Sequence, residues 1–438
     1  MLNDNYTQEY IQILRKNEEE YAKDYRKLLE KVENSTAIIH GEPVPVTYQG
    51  LFYDGEHEAQ LSRIADQILG ITRKVTQEYL DNPRYRKLFQ YDPRLEELIL
   101  HDPGYDVPVP IGRFDLFYNG TDQYKFCEFN TDGSSAMNED YVLSRLLFET
   151  QGMKKFKELH DYTNIDQIGT WVDTLLEMYK SYKGEEKPNI AMVDIMDLAT
   201  TNEFKAFKKA FEEKGVNCEI VDIRDLVYCG GKLKYKDYEI DLIYRRFVAG
   251  EFMKIIDQVK PFVRAYMENA FMMVGSFRSQ IMHSKTIFQI LRDPMTSSIL
   301  TPEENNFLKK TIPFTKEFKD PQDLQLVLKN KDHYIFKPKE GYASKGVFAG
   351  RDMNQEEFEE EVKKIFQQEY IFQEYYEMKP CPYVEFDHNK MKVSNFGQVV
   401  GMFLYNEKFI APYTRIGRES LISGARDYYT APAVRILD

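Results

Sequence analysis

Residues 111–130 read IGRFDLFYNGTDQYKFCEFN, and how this stretch folds back on itself decides what the chain can be. Ile111 to Tyr118 and Tyr124 to Asn130 are short aromatic-rich runs of the kind that form strands. Asn119-Gly120 between them tolerates the positive φ of a tight hairpin turn. Residues two apart in a strand share a face, so Arg113 points with Asp115 and Glu128 with Asn130. If the connecting loop holds an even number of residues, as the Asn-Gly turn predicts, cross-strand partners have opposite parity. All four side chains then fall on one patch about 10 Å across. Two carboxylates and one carboxamide supply oxygen donors suited to Mg²⁺, which keeps places for phosphate oxygens and water. The arginine fork suits a phosphate or a carboxylate. A solvated hairpin face with cross-strand ion pairs is the alternative reading.

A second stretch, Tyr334-Ile335-Phe336-Lys337-Pro338-Lys339-Glu340-Gly341 followed by Tyr342-Ala343-Ser344-Lys345-Gly346-Val347-Phe348, sets a lysine in an apolar strand before a glycine-bounded loop. Glycines let backbone N–H groups approach anionic oxygens while lysine adds positive charge, which is what a phosphate cover requires. It is not a Walker loop, because Val347 stands where lysine should be and a strand follows. A plain β-turn, with Lys337 snorkelling from an edge strand, is the competing reading. Further candidates are Tyr370-Ile371-Phe372-Gln373-Glu374, an apolar strand with a polar end that suits a flat base or simple core packing, and Lys285 within a predicted helix. Arg415 and Arg418 close the series, either in a site or as a surface basic pair.

Around these motifs the pattern is mixed. Helical spacing covers residues 6–32 and 61–75, broken by Gly41-Glu42-Pro43-Val44-Pro45, and residues 102–110 read as a linker. Residues 187–248 alternate strand, helix and strand as a βαβ unit with a parallel sheet, a helical tract runs from Pro261 through Leu291, and a helix is expected near 355–368. The 438 residues carry 58 Lys+Arg and 71 Asp+Glu, a net charge of −13, with 42% apolar content, which suits a packed core and disfavours a phosphate-backbone partner. Two to four domains are expected. Four separated cysteines and seven scattered histidines offer no zinc pattern. With no apolar run near the length a bilayer needs, a soluble cytoplasmic protein with neither membrane nor nucleic-acid partner is expected.

Together these pieces resemble the ligase part of the glutathionylspermidine synthase family, a circularly permuted branch of the ATP-grasp enzymes. The resemblance rests on Arg113-Phe114-Asp115, Glu128-Phe129-Asn130-Thr131-Asp132, Leu242-Ile243-Tyr244-Arg245-Arg246-Phe247, Ser284-Lys285, Lys337-Pro338 with its glycine loop, Phe372-Gln373-Glu374, and the segment from Gly401-Met402 to Arg418-Glu419. It implies an α/β (α+β) fold: an N-terminal helical segment at 1–105, a metal-binding hairpin of the ATP-grasp core at 106–160, an α/β pre-grasp domain at 161–248 and ATP-grasp lobes at 249–438.

By the same resemblance Asp115, Glu128 and Asn130 would hold Mg²⁺ on ATP, and Arg113 would steady the transferred phosphoryl group. Lys285 and Lys337 would touch ATP phosphates beneath a loop including Gly341, Ser344 and Gly346, and Gln373 and Glu374 would lie by the adenine. Arg415 or Arg418 would meet the triphosphate or an acyl phosphate, and Ser134 and Ser135 stand near where the family binds its carboxylate substrate. The implied activity joins a peptide or amino-acid carboxylate to an amine through an acyl phosphate, releasing ADP and phosphate. A non-catalytic nucleotide-binding protein and an ATP-dependent kinase are the alternatives, and a homodimer stays open. The family's cysteine amidase nucleophile is not expected, since Cys127 is the first cysteine.

Overall fold

The computed structural model describes residues 4–39, 41–120, 123–184, 187–199, 201–341, 345–422 and 428–437. The aromatic runs form the antiparallel strands Ile111–Tyr118 and Tyr124–Asn130. They complete one side of an antiparallel sheet whose order continues through Lys390–Tyr405, Lys408–Gly417 and Tyr429–Ala431, with Cys381–Asp387 paired to the start of the long strand. Gly401 lies directly opposite Asp115 in this sheet, so residues far apart in the chain meet side by side. One face of the hairpin, with Phe114, Leu116, Tyr118, Phe126 and Phe129, is buried in the main core against helix Gly55–Asp81 and its neighbours.

The predicted βαβ unit is present. Ile190–Asp194 and Cys218–Asp222 pair in parallel and are joined by helix Thr201–Glu213. Leu242–Arg245 lies on the other side of Ile190–Asp194, followed by Met272–Val274, also in parallel. That last strand corrects the reading of 261–291 as helical. Helix Lys260–Met267 ends at Asn269, which takes φ +53, and the apolar run that follows pairs as a strand before Gly275 at φ +82. The opening helix is likewise two, Asp4–Arg15 and Glu18–Glu33, separated where Asn17 leaves helical geometry at φ −156. Both pack with Leu143, Leu147, Phe156 and Val434 in a second core.

A small lobe completes the molecule. Thr315–Glu317, Tyr370–Glu374, Tyr334–Pro338 and Phe348–Ala349 form an antiparallel sheet in that order, backed by helices Pro321–Lys329 and Gln355–Ile365. Asn354 and Glu357 close the second helix's N-terminus in a reciprocal capping box, a signal the sequence carries openly. Phe318, Phe336, Phe358 and Phe372 give this lobe its own core. Among the described residues, no helix is long and apolar enough to cross a membrane.

Candidate functional site

The hairpin does not close on a two-residue turn. Tyr118 pairs with Tyr124, so five residues connect the strands and partners near the turn have equal parity. Left alone, that register would send Glu128 and Asn130 to the buried face. A β-bulge at Cys127 corrects it: Leu116 faces Phe126, but Asp115 faces Glu128 and Arg113 faces Asn130. The odd loop and the extra residue cancel, and the predicted four-residue face forms by a route the turn did not suggest. The sequence holds the signal in Phe126 and Phe129, core-facing residues three apart rather than two or four.

On that face Asp115 is 1% exposed and fully engaged. Arg113 donates through Nε to Oδ1 at 2.8 Å and through Nη2 to Oδ2 at 3.2 Å, while Arg415 Nη2 and Asn130 Nδ2 donate to Oδ2 at 2.8 and 3.2 Å. Arg113 also donates to Ser135 O at 2.9 Å, and its guanidinium lies 5.2 Å from the Tyr413 ring. Arg415 is therefore the C-terminal arginine brought to the hairpin. Arg418 turns away to pair with Glu385 and stacks 4.5 Å from the Phe396 ring.

Glu128 stands where the lobes meet. Burial alone would raise its carboxyl, but Lys285 and Lys337, with His283 and Arg415, hold it down at about 2. Lys285 Nζ is 3.5 Å from Glu128 and donates to Gly341 O at 2.7 Å. It does not sit inside a helix, because helix Gln280–His283 stops at Ser284 and Ile287–Ile290 begins a new one. That break frees Lys285 to reach across. Lys337 is buried and donates to Cys127 O at 3.2 Å and Gln373 Oε1 at 2.8 Å, so the bulge presents a carbonyl to this lysine as well as turning Glu128. Gly341 and Gly346 take φ +139 and +72, conformations that favour glycine, and a Cβ at Gly346 would lie 2.8 Å from Tyr370 Oη. Ser344 lies outside the described residues.

Asp115, Glu128, Lys285, Lys337, Gly341 and Arg415 all line one cleft, open to solvent, between the small lobe and the central sheet. Its apolar walls are Phe117, Ile335, Val399, Leu421 and Ile422, which the sequence reading passed over. Val399 pairs with Phe117 on one side and Arg415 on the other, so the alternation of the long strand was the available signal. Gln373 is 1% exposed and lies under Lys337, while Glu374 is exposed at the end of its strand and accepts from Phe314 N at 3.3 Å. Neither lines the cleft.

Ser134 donates to Asn130 O, and its carbonyl accepts from Arg246 at 2.7 Å. Arg246 also pairs with Glu203 at 2.6 Å, and Arg245 with Asp132. These two buried arginines fasten the loop after the hairpin to the carboxyl ends of the parallel sheet, so they fix the site's position rather than face the cleft.

Among the described residues no group of three or more His, Cys, Asp or Glu gathers as a metal centre. The donors on the hairpin are two carboxylates and one amide, which fits Mg²⁺ carrying phosphate oxygens and water better than a closed protein cage. Glu128 is ionised and lines the cleft, and Asp115 lines it too, with its oxygens held by Arg113, Arg415 and Asn130.

Fold and cleft define an α/β protein of the ATP-grasp class, with an open cleft between a small antiparallel lobe and a permuted central sheet. The chain belongs to the glutathionylspermidine synthase preATP-grasp family, whose model matches residues 46–420. It is similar in structure to a glutathione synthetase-like effector from Globodera pallida in its apo form, with TM-score 0.59 at 10% identity over 94% of this chain and 96% of that one. A putative gamma-glutamylcysteine synthetase from Methylobacillus flagellatus is more distant, with TM-score 0.41 at 10% identity over 84% of this chain and 85% of that one. No curated protein matches the sequence.

Proposed function

We propose that the chain is an ATP-dependent ligase that joins a peptide or amino-acid carboxylate to an amine through an acyl phosphate, releasing ADP and phosphate. One observation carries this reading: Asp115 and Glu128 face Lys285, Lys337 and Arg415 across a single cleft with apolar walls. A carboxylate is a poor electrophile until phosphorylated, and phosphoryl transfer asks the protein mainly for positioning and charge neutralisation. Lys337 meets the phosphates from the small-lobe side, and Lys285, between two short helices of the main core, meets them from beside Glu128. Arg415 presents its guanidinium where the transferred group develops charge, and Arg113 braces Asp115 beside it. Phe117, Ile335 and Val399 offer flat apolar contact to the base. Asp115, Glu128 and the Asn130 amide would hold Mg²⁺, which when bound offsets phosphate charge. Covalent catalysis by Cys127 is disfavoured, because burial pushes its thiol up to about 11.

The test is nucleotide turnover with ATP and Mg²⁺ over peptides and amino acids crossed with polyamines and other amines. ADP is expected only where an acid and an amine are both present. Glu128→Ala should lower that rate by about 10²–10³ while melting near the wild-type temperature. AMP as product would indicate adenylation, ADP without an amine a kinase, and nucleotide binding with no product from any pair a binding protein; each rejects the ligase.

A further inference from the structure

Three adjacent strands of the small lobe carry a row of polar side chains on the face turned to the cleft. Gln373 stands directly opposite Thr315 on one side and Ile335 on the other, which puts it diagonal to Lys337. The opposite face, with Phe336 and Phe372, belongs to the lobe's core. Gln373 is 1% exposed, Thr315 5% and Lys337 7%, so each polar atom in the row must be matched by another.

The donor and acceptor roles follow from chemistry alone. An ammonium only donates, so the Gln373 atom 2.8 Å from Lys337 Nζ must be its oxygen. The amide nitrogen then donates to Thr315 Oγ1 at 2.9 Å, and that hydroxyl donates onward to Pro313 O at 3.1 Å. With a second N–H spent on Cys127 O at 3.2 Å, Lys337 has one donor left, and it lines the cleft. An amide is well suited to this place. It holds the lysine head through a charge-assisted hydrogen bond and, unlike a carboxylate, adds no negative charge beside it.

We propose that Gln373, backed by Thr315, is a positioning residue that aims the Lys337 ammonium at nucleotide phosphate without neutralising it. This rests on the nucleotide reading of the cleft given above, and it replaces the adenine contact expected of Gln373 from the sequence. Its role is exerted through Lys337, so it is not itself a catalytic group.

The deciding comparison is Gln373→Glu. A glutamate still bonds to Lys337, so a merely structural Gln373 predicts unchanged melting and unchanged binding. The positioning role predicts that melting holds while affinity for ADP with Mg²⁺, read by calorimetry on the full chain, falls about tenfold or more. Gln373→Ala should weaken binding to a similar degree in the wild type and not at all in a Lys337→Met background, since the two act through one group. Thr315→Ser, which keeps the hydroxyl, should bind as the wild type does, and Thr315→Val should bind more weakly. Wild-type affinity in both Gln373 variants, with binding weakened in Lys337→Met, overturns the proposal and leaves the nucleotide site standing. No ADP binding by the wild type overturns the nucleotide reading, and this inference with it.

Discussion

Glu139 lies behind the arginine pair, on the first turn of helix Met137–Phe148. The Tyr413 ring rests against Arg113 and Arg415, 5.2 and 6.0 Å from their guanidinium carbons, and its hydroxyl donates to Glu139 Oε2 at 3.1 Å. Burial is the largest influence on Glu139 and, with the nearby Glu203 charge, pushes its carboxyl up to about 7, against the opposing pull of the Tyr413 hydroxyl, Arg113 and Arg415. The folded chain therefore keeps this proton to about pH 7, whereas the unfolded chain releases it near 4.5. Between those values the folded state binds more protons, so this group's contribution to stability is complete below pH 4.5 and is lost as pH rises through 7. Glu139→Gln removes that dependence. Its unfolding free energy should fall less steeply than the wild type's between pH 5 and 8, by an amount on the order of 2 kcal/mol across the window. Asp140 and Asp194, also raised by burial, titrate in both proteins and cancel in the comparison. Identical slopes would remove Glu139 from the balance.

The central sheet shows how much of an element a sequence carries. The aromatic runs, the outward Arg113 and Asp115, and the Asn-Gly break were all legible, because each is a local pattern. The register was not, since it depends on loop length and bulge together, and only the spacing of Phe126 and Phe129 betrays the second. Lys285 was misplaced for a related reason: helical spacing continues through a break at Ser284 that tertiary contact imposes. Gly401 makes the sheet's tolerance testable. It faces Asp115, and a Cβ there would come within 2.7 Å of Arg113 Cδ and Asp115 Oδ1. Neither atom can withdraw without disturbing the pair. Gly401→Ala should cost about 1–3 kcal/mol in overpacking yet reduce ATP turnover at least tenfold, more than the stability loss explains. Turnover that survives intact would show that the Arg113–Asp115 geometry is not needed.

At the scale of the molecule the sequence announced its parts but not their assembly. Pairing of 111–117 with 399–405 joins chain segments nearly three hundred residues apart, and no local propensity encodes such a neighbour. The cleft exists only through that assembly, because the small lobe has its own core, and polar contacts join it and the segment that follows it to the central sheet. Lys337 reaches Cys127 O, Asn119 Nδ2 donates to Glu377 O at 2.9 Å, and Lys379 N donates to Asn119 Oδ1 at 2.7 Å. Contacts of this kind open at lower free energy than the packed sheets on either side. A nucleotide bridging the lobes adds its binding energy to the closed form alone, about 2.7 kcal/mol at a hundredfold excess over Kd. Hydrogen exchange should report where that energy goes. With ATP and Mg²⁺ present, amides of residues 345–348 and 418–422, on the two sides of the cleft, should slow at least tenfold. Amides of Ile190–Asp194, inside the parallel sheet and away from the cleft lining, should exchange as before. Protection centred on the parallel sheet instead would move the nucleotide out of this cleft and take the roles of Lys285, Lys337 and Arg415 with it.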